Sequence, residues 1–220
     1  MTVQFSILTV CTGNIHRSPL AACLLETWAH WYLPASLALD VRVSSAGIAA
    51  PEGARMGRRA QAIARSFGAD GSGHTARPVT DDLIAASDLV LVATREQRDL
   101  LLARVPAGLR KTFTIREAGR IAASLSAPPA RPTKLQDLSR VVARLADGRG
   151  TLPSGDSDDI IDPQGRGDAA YLQMVREEVI PLAHLGVTLL GMPRPDLDAY
   201  IAAAEDQKAL TERIAEAGKR

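Results

Sequence analysis

The stretch that most constrains this chain runs from Phe5 to Pro19, FSILTVCTGNIHRSP. An apolar, partly β-branched run, Phe5 to Val10, ends in a cysteine and is followed by Thr12-Gly13-Asn14-Ile15-His16, an arginine, a serine and a proline. The run reads as a buried strand. Ser18 and Pro19 read as a helix start, because proline tolerates the first helical turn. The strand therefore delivers a thiol into a short loop at the mouth of a helix. Five residues separate Cys11 from Arg17, and Gly13 and Asn14, the two types that most easily take φ > 0, lie near the middle.

That spacing carries a chemistry. A free cysteine titrates near about 8.5, and a helix N-terminus with a nearby guanidinium lowers it by units, so the pattern predicts a thiolate at neutral pH. Backbone N–H groups wrapped inward make an anion nest, and Arg17 adds a planar fork of donors matched to two phosphoryl oxygens. A tetrahedral oxyanion then sits above the sulfur. The reaction implied is in-line attack of Cys11 on phosphorus, giving a phosphocysteine that water hydrolyses. A lone cysteine closing a strand is usually a small buried hydrophobe. The strand before, the helical pattern after and the Cys-x5-Arg-Ser spacing together select the thiolate.

Val10-Cys11-Thr12-Gly13-Asn14-Ile15-His16-Arg17-Ser18-Pro19 resembles the N-terminal signature of the low molecular weight protein tyrosine phosphatase family, V-C-x-G-N-x-C-R-S-P. His16 stands where that signature has its second cysteine, so protection of Cys11 by an internal disulfide is not implied here. The resemblance implies a three-layer α/β/α fold with a four-stranded parallel sheet and the phosphate-binding loop after the first strand. Cys11 is then the nucleophile, with Arg17 and the backbone of Thr12, Gly13, Asn14, Ile15 and His16 binding the phosphoryl group. Ser18 donates to the sulfur, while Asn14, Ser45 and His74 hold the loop. In the family the general acid is the aspartate of a late Asp-Pro pair, a position that Asp162-Pro163 fills.

The rest of the chain reads as alternating strands and helices, the α/β pattern. Leu20, Cys23, Leu24, Thr27, Trp28 and Trp31 recur at helical spacing, which puts Cys23 and both tryptophans on a core-facing stripe. Val41 to Ser44 is a second strand running into Ser45-Ala46-Gly47. By resemblance Ser45 hydrogen-bonds Asn14; otherwise it is a loop serine solvating itself. Met56 to Phe67 reads as a helix closed by Gly68, and Thr80 caps a helix through Leu83 to Ala86. His74 orients the loop by resemblance, or is a solvated loop histidine. Leu89 to Ala93, five consecutive apolar residues, is the strand a parallel sheet covered on both faces requires. Arg95 to Arg104 follows as a helix and Phe113 to Ile115 as a fourth strand. Thr94 stands where the family commonly has an aspartate.

Residues 1–192 read as the phosphatase-like domain, with a connector at about 121–159 longer than the family's, and 193–220 as a C-terminal helical extension. Within the connector, Ala127 to Pro132 is rigid, Leu135 to Leu145 helical, and Gly148 to Asp159 a mobile polar loop, either a lid or a surface insertion. Ala169 to Leu182 is amphipathic with Pro181 near its end; Leu185 to Leu190 is apolar without a decided type, and Pro195 to Gly218 is a last helix. The aromatic walls that several relatives place around phosphotyrosine are absent at Ile48, Ala49, Ala50 and Gln164. Trp31, Tyr32 and Tyr171 remain open as ring partners.

A net charge of +1 offers no basic field for nucleic acid. No targeting segment is visible and no stretch reaches the roughly 18 apolar residues of a membrane span, so a soluble, cytoplasmic protein without a membrane partner is expected. Two cysteines exclude a disulfide framework and a cysteine-rich zinc site, and neither metal nor cofactor is expected. The substrate expected by resemblance is protein phosphotyrosine or a small aryl phosphate. Phosphoarginine is the alternative, which Ile15 disfavours because arginine phosphatases of this type tend to have threonine there. A weakly active phosphate-binding regulator, using the connector and tail for protein interaction, is a third reading; separately, a homodimer through the connector or the C-terminal extension is open. Arsenate reduction needs resolving cysteines near the pocket, and only Cys23 is available.

Overall fold

The computed structural model describes residues 4–125, 131–150 and 158–219. Four strands, β1 (Phe5–Cys11), β2 (Val41–Gly47), β3 (Leu89–Val92) and β4 (Thr112–Thr114), form one sheet in the order β2-β1-β3-β4, with every pairing parallel. Ten α-helices are described: α1 (Arg17–Tyr32), α2 (Ala35–Ala38), α3 (Arg58–Ser66), α4 (Asp81–Ala86), α5 (Arg95–Arg104), α6 (Ile115–Ser124), α7 (Leu135–Gly148), α8 (Asp168–Leu190), α9 (Arg194–Glu205) and α10 (Gln207–Lys219).

Apolar side chains alternate along the strands because successive residues point to opposite faces. Phe5, Ile7, Cys11, Leu89 and Leu91 enter the larger core with α1, α3, α6, α7 and α8. Leu8, Val10, Val90 and Val92 enter the smaller core with Ile84 of α4 and Leu101 of α5. Both faces of the sheet are therefore covered, the environment that makes strands such as β3 apolar without interruption.

Register brings the carboxyl ends of the strands together. Cys11 pairs with Gly47, Val10 with Val92, and Val92 with Thr114. Loops leaving that edge are the ones that can meet over Cys11, as in open α/β sheets generally.

Several local features differ from the sequence expectation. Trp28 is fully buried and edge-on to Tyr200 of α9 at 4.8 Å, but Trp31 is 53% exposed. Trp31 is the penultimate residue of α1, against Tyr32 and the chain at Gly68, where the helix runs past its cover. Ile115 opens α6 rather than extending β4, because Thr114 forms a reciprocal capping box with Glu117. Asp168 to Leu190 is a single helix through Pro181, and the final segment is two helices broken at Asp206. The connector's helix α7 places Leu138, Val141, Val142 and Leu145 in the main core rather than riding on the surface. Its rigid part at 127–130 and its loop at 151–157 lie outside the described residues. Asp158 and Asp159 are held by Arg120 and by the Arg95 N–H, respectively. Leu210 and Ile214 of α10 are buried in the same core, where α10 packs on α3 and α8.

Helices α6 and α8 approach closely at Gly119. A Cβ at Gly119 falls 2.5 Å from the Cα and carbonyl oxygen of Pro181, backbone atoms that cannot swing aside. Gly119→Ala is therefore expected to destabilise the protein by about 1–3 kcal/mol or more, read as a lowered midpoint in thermal or urea unfolding.

Candidate active site

The loop after β1 is shaped by backbone before side chains. Asn14 has φ 52°, the one described non-glycine residue in the left-handed region. Such a conformation costs roughly 1–2 kcal/mol outside glycine, with asparagine among the residues that tolerate it. Asn14 offsets that cost with its side chain: Nδ2 donates to Ser18 Oγ at 3.0 Å, and Oδ1 accepts the Arg77 N–H at 3.0 Å. Its backbone carbonyl accepts from His74 Nε2 at 2.8 Å, which fixes the tautomer protonated on Nε2. Loop and strand also lie too close for a side chain at 47, since a Cβ there would sit 2.6 Å from Thr12 O and 2.9 Å from Asn14 N. Gly47 permits the approach, and Ile48 and Ala49 N–H then tie down Cys11 and Thr12 carbonyls.

Cys11 closes β1 and is 2% exposed. Its sulfur lies 3.0 Å from Ser18 Oγ and accepts the Asn14 N–H at 3.2 Å. Ser18 Oγ is also 3.2 Å from the Ala46 carbonyl, so two acceptors face one hydroxyl proton. A thiolate is the stronger of the two, because charged acceptors draw the shorter, stronger bonds.

Arg17, the first residue of α1, is 4% exposed. One terminal nitrogen donates to Asp162 Oδ2 at 2.6 Å and the other to the Ile160 carbonyl at 3.2 Å. The chain carrying Asp162 is pinned by Ile160 N–H to Ala93 O at 2.9 Å and Ile161 N–H to Glu177 at 2.7 Å. Beside the ion pair, His16 Nε2 and Gln164 Oε1 are 2.6 Å apart. Two consecutive loop residues thus reach two residues of the Asp162 turn.

A hollow of about 250 Å³ opens over the sulfur, lined by loop residues 11–13 and 15–17 with Pro51, Asp162 and Gln164. Cys11, Arg17 and Asp162 therefore share one space. Its rim is polar at His16 and Gln164 and apolar at Ile15 and Pro51. Tyr171 is buried behind His16, edge-on at 5.5 Å, and Trp31 and Tyr32 line a separate hollow. Among the described residues, no group of three or more His, Cys, Asp or Glu is arranged to hold a metal ion.

The expected hydrogen bond from Ser45 to Asn14 is not formed; the Asn14 side chain is committed to Ser18 and Arg77. Ser45 contributes its carbonyl, which accepts Arg77 Nε at 3.0 Å, so Arg77 links strand and loop. Arg77 went unassigned in the sequence although it lies in the segment around His74. Gln97 was missed as well. Its Nε2 donates to Thr12 Oγ1 at 3.1 Å while its Oε1 accepts the N–H groups of Ala93 and Thr94. Thr94-x-x-Gln97 is a capping-box pattern and could have flagged that residue. Cys23, at the other end of the redox question, is half-buried and its thiol is pushed up to about 11 by burial.

The sequence profile described as low molecular weight phosphotyrosine protein phosphatase matches residues 6–125. The chain is 34% identical over 115 residues to a protein-arginine-phosphatase of Geobacillus stearothermophilus, 52% of this chain and 72% of that protein. It is 37% identical over 112 residues to the probable low molecular weight protein-tyrosine-phosphatase EpsP of Ralstonia nicotianae, 51% of this chain and 71% of that one. Among solved structures it is similar to the YwlE arginine phosphatase from Geobacillus stearothermophilus, with TM-score 0.51 and 25% identity over 98% of this chain and 93% of that chain.

Asn14→Ala keeps the left-handed strain and removes two side-chain hydrogen bonds, so it should cost about 2–4 kcal/mol in denaturant unfolding. Burial lowers the pKa of His74 and of His16 from 6.5. The unfolded chain binds the extra protons, so these two groups contribute stability fully above pH 6.5, and it is lost as pH falls toward their folded values. Unfolding free energies measured across that range should show a slope that His74→Gln reduces.

Proposed function

Because the chain belongs to the low molecular weight phosphotyrosine protein phosphatase family, we propose that it hydrolyses phosphomonoesters, protein phosphotyrosine first, through a phosphocysteine on Cys11. The observation that carries this reading is the sharing of one hollow by Cys11, Arg17 and Asp162.

The phosphoryl dianion enters above the sulfur and takes the guanidinium of Arg17, displacing Asp162. Loop N–H groups bind the remaining charge, which grows on the equatorial oxygens in the transition state. The Cys11 thiolate attacks phosphorus as the bond to the tyrosine oxygen breaks. Asp162, freed from Arg17 and having taken up a proton from solvent, gives that proton to the departing oxygen. As a carboxylate it then takes a proton from water, the hydroxide equivalent attacks phosphorus, the sulfur–phosphorus bond breaks, and phosphate leaves. Ser18 stabilises the departing sulfur in this second step.

Ile15 supports the aryl substrate. Its side chain gives the hollow an apolar flank where a ring packs and a phosphorylated guanidinium would face a surface without hydrogen-bond acceptors. Phosphoarginine is the second reading, favoured by the name of the Geobacillus relative and by the absence of an aromatic ring from the lining. A cytoplasmic setting accords with two unpaired cysteines.

Purified protein should hydrolyse p-nitrophenyl phosphate with a bell-shaped dependence between about pH 5 and 8, and Cys11→Ser should abolish turnover while leaving the unfolding midpoint near that of the wild type. Activity retained in Cys11→Ser sinks the assignment. Asp162→Ala should cost about 10²–10⁴-fold with a poor leaving group and progressively less as the leaving-group pKa falls. Rates on phosphotyrosine and phosphoarginine peptides then decide between the two substrates.

A further inference from the structure

Helix α8 crosses the first turn of α1, and Glu178 enters that contact with no exposure to solvent. Neither carboxyl oxygen of Glu178 makes a hydrogen bond. The polar groups facing it are Arg17 and the N–H of Ala21, and burial pushes its pKa well above the usual carboxylate range. A second buried orphan belongs to the guanidinium that acts on Glu178: Arg17 Nε has no acceptor, although both terminal nitrogens do. An isolated buried carboxyl is costly, and an apolar side chain of similar size would normally replace it.

The two orphans fit a guanidinium with two positions. In the described one, Arg17 points at Asp162, whose side chain is 43% exposed on the hollow side. A phosphoryl group over Cys11 draws the terminal nitrogens toward itself, and the guanidinium must turn about its own stem to meet it. We propose that Glu178 is the positioning residue for Arg17 in its phosphate-bound state, accepting the Nε–H once the guanidinium has turned from Asp162 to the phosphoryl oxygens. That one change pairs Arg17 Nε and gives Glu178 an acceptor role. A neutral carboxyl does this through its carbonyl oxygen and leaves the positive charge of Arg17 for the phosphate. An ionised one would hold the guanidinium down as an ion pair.

This inference rests on the reading that the hollow takes a phosphoryl group, and the measurements separate the two. Glu178→Met removes the acceptor at similar volume, and Glu178→Gln keeps a neutral carbonyl in place. Hydrolysis of p-nitrophenyl phosphate, competitive inhibition by inorganic phosphate and thermal unfolding are measured for both variants and the wild type. Glu178→Met should melt at a higher temperature than the wild type, yet show a KM and a phosphate inhibition constant raised about tenfold, the scale of one hydrogen bond to a charged group. Glu178→Gln should stay within about twofold of wild type in both constants. The proposal is overturned if Glu178→Met binds phosphate as well as the wild type, if it melts lower or fails to fold, or if Glu178→Gln is as impaired as Glu178→Met. A wild type that neither hydrolyses the ester nor binds phosphate instead overturns the functional reading.

Discussion

The left-handed turn at Asn14 is the constraint from which the rest of the site is built. A cysteine at the end of a parallel strand points along the sheet edge, and without a sharp reversal the following chain would carry its N–H groups away from the sulfur. The turn brings Asn14 N–H to 3.2 Å from the sulfur and aims the Asn14 side chain back at Ser18, the second residue of α1. Strand, loop and helix are thus locked through four atoms, the Cys11 sulfur, Asn14 N and Nδ2, and Ser18 Oγ. The supports arrive from β2 and beyond: Gly47 by lacking a side chain, Arg77 by its N–H and guanidinium, and His74 by its Nε2–H. The Arg77 N–H and His74 Nε2–H each satisfy an Asn14 oxygen that the turn would otherwise bury unpaired, which the interior penalises by about 1–3 kcal/mol apiece.

A second coupling closes the site from the distant end of the chain. Arg17 and His16 are neighbours in the loop, and Asp162 and Gln164 are neighbours in the late turn, so the two contacts act together. The ion pair is asymmetric: Arg17 is 4% exposed and Asp162 43%. Solvent therefore screens one partner, and pairs of that kind contribute little net stability. A phosphoryl dianion brings more charge and two oxygens in the geometry of the fork, so exchanging Asp162 for it is favourable. Under the proposed reaction, the same arrangement would hold the carboxyl near the departing oxygen without binding it too firmly to be released.

Much of this was legible because the signals are local. The apolar run ending in Cys11, the five-residue loop and Arg17 lie in one stretch, and period-two burial with capping residues such as Thr80 places the strands and helices around it. What escaped was long-range. Gln97 reaches Thr12 across 85 residues and Glu177 holds Ile161 from α8, pairings that no periodicity encodes. The connector reads as an insertion beyond the family's pattern, yet Leu138, Val141, Val142 and Leu145 of α7 fill the main core. Trp31 failed for the opposite reason, since helical spacing says which face a residue is on but not where its cover ends. Ser45 shows the limit of reading roles by resemblance: the strand is where expected, and the asparagine it was to hold is held by Arg77 and Ser18.

Orphaned buried polar atoms gather around this one place. His16 Nδ1, Arg17 Nε and both oxygens of Glu178 lack hydrogen-bond partners, whereas Arg59 Nε and Asp168 Oδ1, beyond Tyr171, face each other as an ion pair at 2.8 Å. Elsewhere among the described residues only Trp28 Nε1 and Arg120 Nε lack such partners. Protein interiors ordinarily leave few such atoms, because each one costs stability. Concentrating them beside the loop places unused hydrogen-bonding capacity where, under the proposed function, a charged, many-oxygened ligand would be received. That capacity is unused while Arg17 faces Asp162 and becomes useful only when the guanidinium moves, so the stability forgone at rest is recovered on binding, the pattern expected of a preorganised site and not of a packing flaw.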